Sequence, residues 1–291
     1  MNSRPLWTTL LFFFFGLSLS AQMELPRKSP SASVSYTIGY TTVVINYSSP
    51  AVKGRHIWGE LEPYDQVWRS GANEATTIEF STPVKIEGKD LPQGKYAFFL
   101  IPREADKWTA IFNTEIDQWG AYSYDEDKDV LRVEVEMQES KVNEERLNYT
   151  VVEQDIDQGY IRLGWGNTRV FVRFQSNLLK QLEEKMNSTL LETAEEEQWK
   201  TYAQAADLLS ESKKYMTEAL AYANASTKLF SHSSNWWIKA CIQAEQEDFE
   251  GAIASAKKAA EAGAKDENDR FYKSTKTRMD KMVADWEAKA R

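Results

Sequence analysis

The sequence predicts two regions in series, β then α: an antiparallel β-sandwich, jelly-roll or immunoglobulin-like, followed by an α-helical array. Three observations carry this. From Ser33 to about Gln175, apolar and polar residues alternate with a period near two, in a background of Val, Ile, Thr, Tyr, Phe and Trp that is strand chemistry. From about Asn177 onward, Ala, Glu, Lys, Gln and Leu recur at helical spacing. At the junction stands Ser176 or Asn177, either of which can accept from a free N–H of a helix's first turn. The expected divisions are 1–21, 23–175 and 177–291.

The first division reads as a secretory signal peptide. Arg4 gives the positive start, Leu6 to Leu19 the apolar run, and Ser18, Ser20 and Ala21 the small residues of a cleavage site. The run is shorter than the ~20 apolar residues of a membrane anchor, and no Cys follows it for lipid attachment. The expectation is an exported chain, periplasmic or secreted, with no membrane span after cleavage.

Cys241 is the one cysteine, so no intramolecular disulfide can form and stability rests on the cores. The net charge is −9 with both signs interspersed, which argues against a nucleic-acid partner, since phosphate binding needs a basic face.

In the β-region, strand patterns fall at 34–38, 42–47, 75–80, 84–87, 94–101, 108–113, 130–137, 147–152, 160–165 and 169–174. Between 130 and 137, Leu131, Val133, Val135 and Met137 form one face and Val130, Arg132, Glu134 and Glu136 the other. Gly39, Gly164 and Gly166-Asn167 read as breakers. Short strands without intervening helices indicate antiparallel pairing.

The helical region contains an internal echo. Laying Ala219 on Ala252 aligns Tyr215–Leu220 with the segment from Phe249, and Tyr202–Leu209 with Asn235–Ile242, a period of about 33–34 residues. The stretch from Trp236 to Gly263 resembles a tetratricopeptide repeat, with small alanines that let paired helices approach closely. Segments 178–191 and 271–288 would flank or cap a short array.

Few residues carry chemistry. His56 and His232 are far apart, and His232 sits in a Ser-rich link expected to be an exposed loop. Cys241 falls on a helix face beside Ala240 and Ala244 and reads as a structural thiol. Asp125, Asp127 and Asp129 echo a calcium loop, but Val130 stands where that loop needs Gly, so a turn before a strand accounts for them better. No metal and no cofactor are expected.

The densest polar–aromatic segment is 53–76. It supplies Arg55, His56, Trp58, Trp68, Arg69, Asn73 and Glu74, and Trp119 and Tyr122 could add a second aromatic edge. In the structural reading, Trp58 and Trp68 plug the core and Arg69 pairs with a buried Glu74. In the functional reading these residues line a concave ligand site, and aromatics with Asn, Arg and Glu are the kit of a glycan-binding surface.

An ordered set of motifs brings a family into view: Lys53-Gly54-Arg55, Ile57-Trp58-Gly59, Pro63-Tyr64, Val67-Trp68-Arg69, Gly71 to Thr76, Gly94-Lys95-Tyr96, Ile101-Pro102, Ile111-Phe112-Asn113 and Trp119 to Tyr122. Over about 23–175 the chain resembles the exported bacterial proteins of the DUF2911 family, a domain of unknown function. Trp58 departs from the Phe expected there. Such proteins can carry a tetratricopeptide-like C-terminal part. The resemblance implies fold and export and transfers no catalytic residue.

The leading expectation is therefore a non-enzymatic binding or scaffold protein, with a glycan ligand on the sandwich and a protein or peptide partner on the helices. The rival is a carboxylate-dependent hydrolase acting on a glycan or cell-envelope substrate, with Glu74 paired with Glu60 or Asp65.

Overall fold

The computed structural model describes residues 25–291; the expected leader lies outside the described residues. The chain forms an antiparallel sheet of nine strands followed by six helices, counted among the described residues. The strands are β1 (Ser31–Ile38), β2 (Thr41–Ser48), β3 (Thr76–Phe80), β4 (Val84–Ile86), β5 (Lys89–Leu91), β6 (Gly94–Ile101), β7 (Lys107–Asn113), β8 (Asp129–Asp155) and β9 (Gln158–Ser176). Their order is β1-β2-β3-β6-β7-β8-β9-β4-β5.

Two of these strands are longer than the sequence pattern indicates. The segments 130–137 and 147–152 are parts of β8, and 160–165 and 169–174 are parts of β9. Register shifts between Glu139, Glu144 and Asn148 absorb the irregularity that reads as a break. Gly166, opposite Glu144, adopts φ +58 and lets β9 bend without ending. Strand β5 has three residues, two of them charged, and gives no alternation to detect.

Bending brings distant strands over one core. After β2, Ala51 bridges Arg146 of β8, and the N–H groups of Val52 and Leu147 donate to Glu145 and Pro50 carbonyls. One buried cluster then draws on every strand from β1 to β9, and at its centre Trp58, Trp68, Trp108 and Trp165 touch. Burying one such ring removes roughly 150–250 Å² from water, about 4–6 kcal/mol of transfer free energy as an upper bound.

The helices are α1 (Leu178–Glu192), α2 (Gln198–Ser210), α3 (Met216–Leu229), α4 (Ser233–Glu245), α5 (Phe249–Lys265) and α6 (Arg270–Lys289). Asn177 is the N-cap of α1, its side chain accepting from the Lys180 N–H. His232 is not an exposed loop residue: it is half-buried, caps α4 through Nδ1 and stacks on Trp199 and Phe230. Its ring can accept from the helix N-terminus because an aromatic wall holds it there. The Cys241 thiol is half-buried, and burial pushes it up to about 11, which favours the protonated thiol at neutral pH.

Helices and sheet are joined through the β8–β9 turn. Ile156 packs into the helical cluster with Leu178, Leu182 and Leu209. The carboxylate of Asp157, buried, accepts from Gln175, from Lys214 Nζ and from the Tyr215 hydroxyl.

Candidate functional site

The link between β2 and β3, residues 49–75, is irregular but tightly specified. Trp58 bridges Glu62, Trp68 bridges Leu100 of β6, and Glu74 bridges Trp119. Lys53, Asp65, Ser70 and Asn73 all hold positive φ, between 49° and 60°. Such residues cost about 1–3 kcal/mol each and persist where surrounding contacts over-determine them. Ser70 shows how: its carbonyl accepts from Thr76 Oγ1 at 3.0 Å and from the Tyr149 hydroxyl at 2.7 Å.

The structure separates the residues nominated from sequence. Trp68 is buried and Trp58 half-buried in the indole cluster, where Trp58 Nε1 donates to Thr168. Arg55 and His56 are exposed, and Arg55 folds back onto the carbonyls of Ala51 and Val52. Trp119 and Tyr122 stand out from the surface at 56% and 87% exposure. Asn73 donates to Ser29 O and Ser48 Oγ, so it fastens the segment ahead of β1.

The expected Arg69–Glu74 pair does not form. Glu74 is exposed and takes Arg27 on both carboxylate oxygens at 2.8 Å. Positive φ at Ser70 and Asn73 turns the chain between the two residues, which sends Glu74 outward. Its own backbone N–H, together with Arg27, outweighs the opposing effect of burial and holds the Glu74 carboxyl below the usual range. Arg69 instead lies against the 119–122 turn. A Cβ on Gly120 would come within 3.2 Å of Arg69 Nη1 and 2.9 Å of the Tyr122 ring, and the position holds φ +67, which favours glycine. Arg69 Nε is buried and has no hydrogen-bond partner among the described residues.

Sequence reasoning missed Glu62. Burial pushes its carboxyl up to about 7, against the opposing pull of Arg69, the Trp68 indole and Arg55. Glu60 and Asp65, the carboxylates named with Glu74, are both exposed, and Asp65 is paired with Arg103. No pattern within 59–65 distinguishes Glu62, because its environment is assembled by residues beyond its turn.

Outside the sheet lies a groove of about 470 Å³ across β1, β2, β3 and β6. Ser33, Asn46 and Thr77 are cross-strand partners in one row, and Ser31 faces Ser48 in the next alternate row. Directly opposed residues share a face, so these side chains line one surface, while Val34, Ile45 and Ile78 make the equivalent row towards the core. Glu74, Asp117 and Lys95 bring charge to the groove. Trp119, exposed, is bridged through its backbone to Glu74 and is not itself among the groove's lining residues.

Comparison with known families supplies the relationship. The family profile described as "Protein of unknown function (DUF2911)" matches residues 29–174, half of the chain. The chain belongs to this family. The match runs from just before β1 to near the end of β9, so the groove and the 49–75 link of this DUF2911 protein lie within it. No curated protein matches the chain.

The aspartates at 125–129 have local roles. Asp125 caps a short 3-10 turn, and Asp129 accepts from Asn113, Tyr124 and Arg132. No group of side chains suited to a metal ion occurs among the described residues. No described helix is long and apolar enough to cross a membrane.

Proposed function

We propose that this DUF2911 protein is an exported, non-enzymatic binding protein that holds a polyhydroxylated ligand, a glycan of the cell envelope, in the groove across β1, β2, β3 and β6. The observation that carries the reading is the row Ser33–Asn46–Thr77 lining the groove; exposed Trp119 is not itself a lining residue but is bridged to Glu74, which is. Hydroxyl and amide groups on a rigid sheet can both donate to and accept from sugar hydroxyls, and an indole face covers the apolar side of a pyranose. Curling of the sheet over a single core is consistent with a sandwich.

The helical region supports a second, docking role. Helices α2 with α3 and α4 with α5 make successive pairs, and Ala219 and Ala252, 33 positions apart, are both fully buried. We read these as tetratricopeptide-like pairs that engage a protein or peptide.

The hydrolase reading has less behind it. Glycoside hydrolysis needs a protonated acid facing an ionised carboxylate. Glu74 is kept ionised and bound to Arg27, and Glu62, the carboxyl pushed up to about 7, is not among the groove's lining residues.

The test is a titration with oligosaccharides and peptidoglycan fragments, read by calorimetry and thermal shift. A true ligand at a hundredfold excess over its dissociation constant adds about 2.7 kcal/mol to stability. Asn46→Ala and Trp119→Ala should each weaken binding without lowering the unliganded melting temperature. Ligands that bind both variants as well as the parent would exclude the groove.

A further inference from the structure

Among the arginines of the described sheet region, Arg69 alone gives no side-chain hydrogen bond to the protein. The others donate to carboxylates, as Arg27, Arg103, Arg132 and Arg173 do, or to hydroxyl and backbone oxygens. Arg69 has no ion pair among the described residues, and its buried Nε has no acceptor. A buried donor without a partner is costly, and each such group in a folded protein calls for a reason.

Its surroundings leave the charge uncompensated. Glu62 lies within electrostatic reach of Arg69, but burial lets that carboxyl keep its proton up to about 7. The buried Trp68 indole N–H faces Glu62 and also lacks a hydrogen-bond partner. On the other side, Arg69 Nη1 and the exposed Tyr122 ring border the same backbone at Gly120, where no Cβ fills the space beside them. Positive φ at Ser70 and Gly120, 55° and 67°, holds both segments in this arrangement, strain of the kind that gathers at ligand clamps. Arg69 itself is half-buried, so solvent reaches part of it.

We propose that Arg69 is an oxyanion site: its guanidinium takes the carboxylate or phosphate group of a small ligand beside Gly120 and the Tyr122 ring, and Glu62 is the protein's own competitor for that cation. The planar fork of donors matches either group. A cation without a protein partner, in a chain of net charge −9, selects an anion and rejects a cationic ligand. Neither Arg69, Glu62 nor Tyr122 lines the glycan groove, so the assignment is independent of it.

Titration of the isotope-labelled protein with acetate and with inorganic phosphate tests it. Proton–nitrogen correlation NMR follows Arg69 Nε–H and the Trp68 indole N–H, each identified by its loss in Arg69→Lys or Trp68→Phe. Saturable shifts of both are expected at about pH 6, with dissociation constants of about 1–10 mM, and the tighter probe names the group. Chloride at equal ionic strength should leave both resonances in place. Arg69→Ala should weaken binding at least about tenfold, read on the Trp68 indole. At about pH 8 Glu62, faced by Arg69, Arg55 and the Trp68 indole, is ionised and competes, so Glu62→Gln should bind acetate about threefold or more tighter than the parent. Shifts that do not saturate below about 100 mM, or that chloride reproduces, overturn the proposal. So does undiminished binding by Arg69→Ala, or Glu62→Gln binding no tighter than the parent at the alkaline pH. Should Arg69→Ala fail to fold, the chloride and Glu62→Gln comparisons still decide.

Discussion

Replacing Glu62 by Gln should make the protein more stable at alkaline pH than at acid pH, relative to the parent. In the folded chain the Glu62 carboxyl keeps its proton up to about 7, chiefly because of burial beside Trp68. In the unfolded chain it loses that proton near 4.3. Between these values the folded state binds one more proton than the unfolded state, so stability falls as pH rises through the window and levels off above about 7. Integrated over the window, the penalty approaches about 4 kcal/mol at pH 8 and vanishes below about pH 4. Glu62 is half-buried, so solvent screening brings the expected effect to about 1–3 kcal/mol. Glutamine keeps the shape and carries no charge, which removes the penalty. Urea unfolding of both proteins at pH 5 and pH 8, followed by tryptophan fluorescence and circular dichroism, measures the difference directly. Subtracting parent from variant cancels the other titrating groups. The variant's advantage should grow from pH 5 to pH 8. An advantage that is equal at both pH values, or larger at pH 5, would refute the assignment of a raised carboxyl.

Other substitutions probe the remaining joints. Glu74→Ala removes an exposed pair with Arg27 and should change stability by less than about 1 kcal/mol in thermal melts. A loss above 3 kcal/mol would point back to a buried role. Asp157→Ala takes a buried acceptor from Lys214, Tyr215 and Gln175 and should cost about 2–4 kcal/mol in urea, moderated because Lys214 can rehydrate. Burial raises that carboxyl, but the hydrogen bonds from Gln175, Lys214 and Tyr215 outweigh it and hold it below the usual range. Its contribution is therefore present above about pH 4 and lost as pH falls further; a midpoint change confined to alkaline pH would contradict this. Gly39→Ala adds a Cβ 2.7 Å from the Ile156 carbonyl at φ +54, and a cost below about 1 kcal/mol in the same assay would argue against that close approach.

Much of the architecture is legible in the sequence because it rests on local periodicity. Alternation along 42–47 puts Val43 and Ile45 in the core and Asn46 outside, as the structure does. The capping side chain of Asn177 is also local and needs only the residues that follow it. What escaped the sequence depends on long-range geometry. Gly164 and Gly166 look like strand ends until β8 places Asn148 and Glu144 opposite them. Glu74 looks like a partner for Arg69 until positive φ at two intervening residues separates them and Arg27, forty-seven positions away, takes its place. The raised carboxyl of Glu62 is a property of burial, and burial is not written in its neighbours. Within the candidate groove, the alternation of Ser31 with Ser33 and of Asn46 with Ser48 is visible along each strand. The cross-strand row appears only once pairing is known.

The change from strand to helix chemistry at Asn177 is sharp in secondary structure, but packing crosses it. Ile156, at the β8–β9 turn, belongs to the cluster to which α1, α2, α3 and α4 contribute, and Gly39, just after β1, lies close to Leu178 of α1. Gln181 donates to Thr82 and Thr41 on the sheet side. A fragment of residues 23–176 would keep the indole cluster, so it should give a β-type circular dichroism spectrum. It would also uncover Ile156, at about 1.5–3 kcal/mol for a side chain of that size. Asp157 would lose Lys214 and Tyr215 while keeping Gln175, and the freed carboxylate can hydrate, so this loss is smaller than for a buried pair that stays buried. Together these place the fragment several kcal/mol below the full chain, against the 5–15 kcal/mol that a folded domain has in total. Urea unfolding of the fragment and the full chain, both followed by tryptophan fluorescence, compares the sheet in the two settings. A fragment as stable as the sheet in the full chain would mean that the seam holds the helices without supporting the sheet. A fragment with no β signal would mean that the sheet cannot form without them.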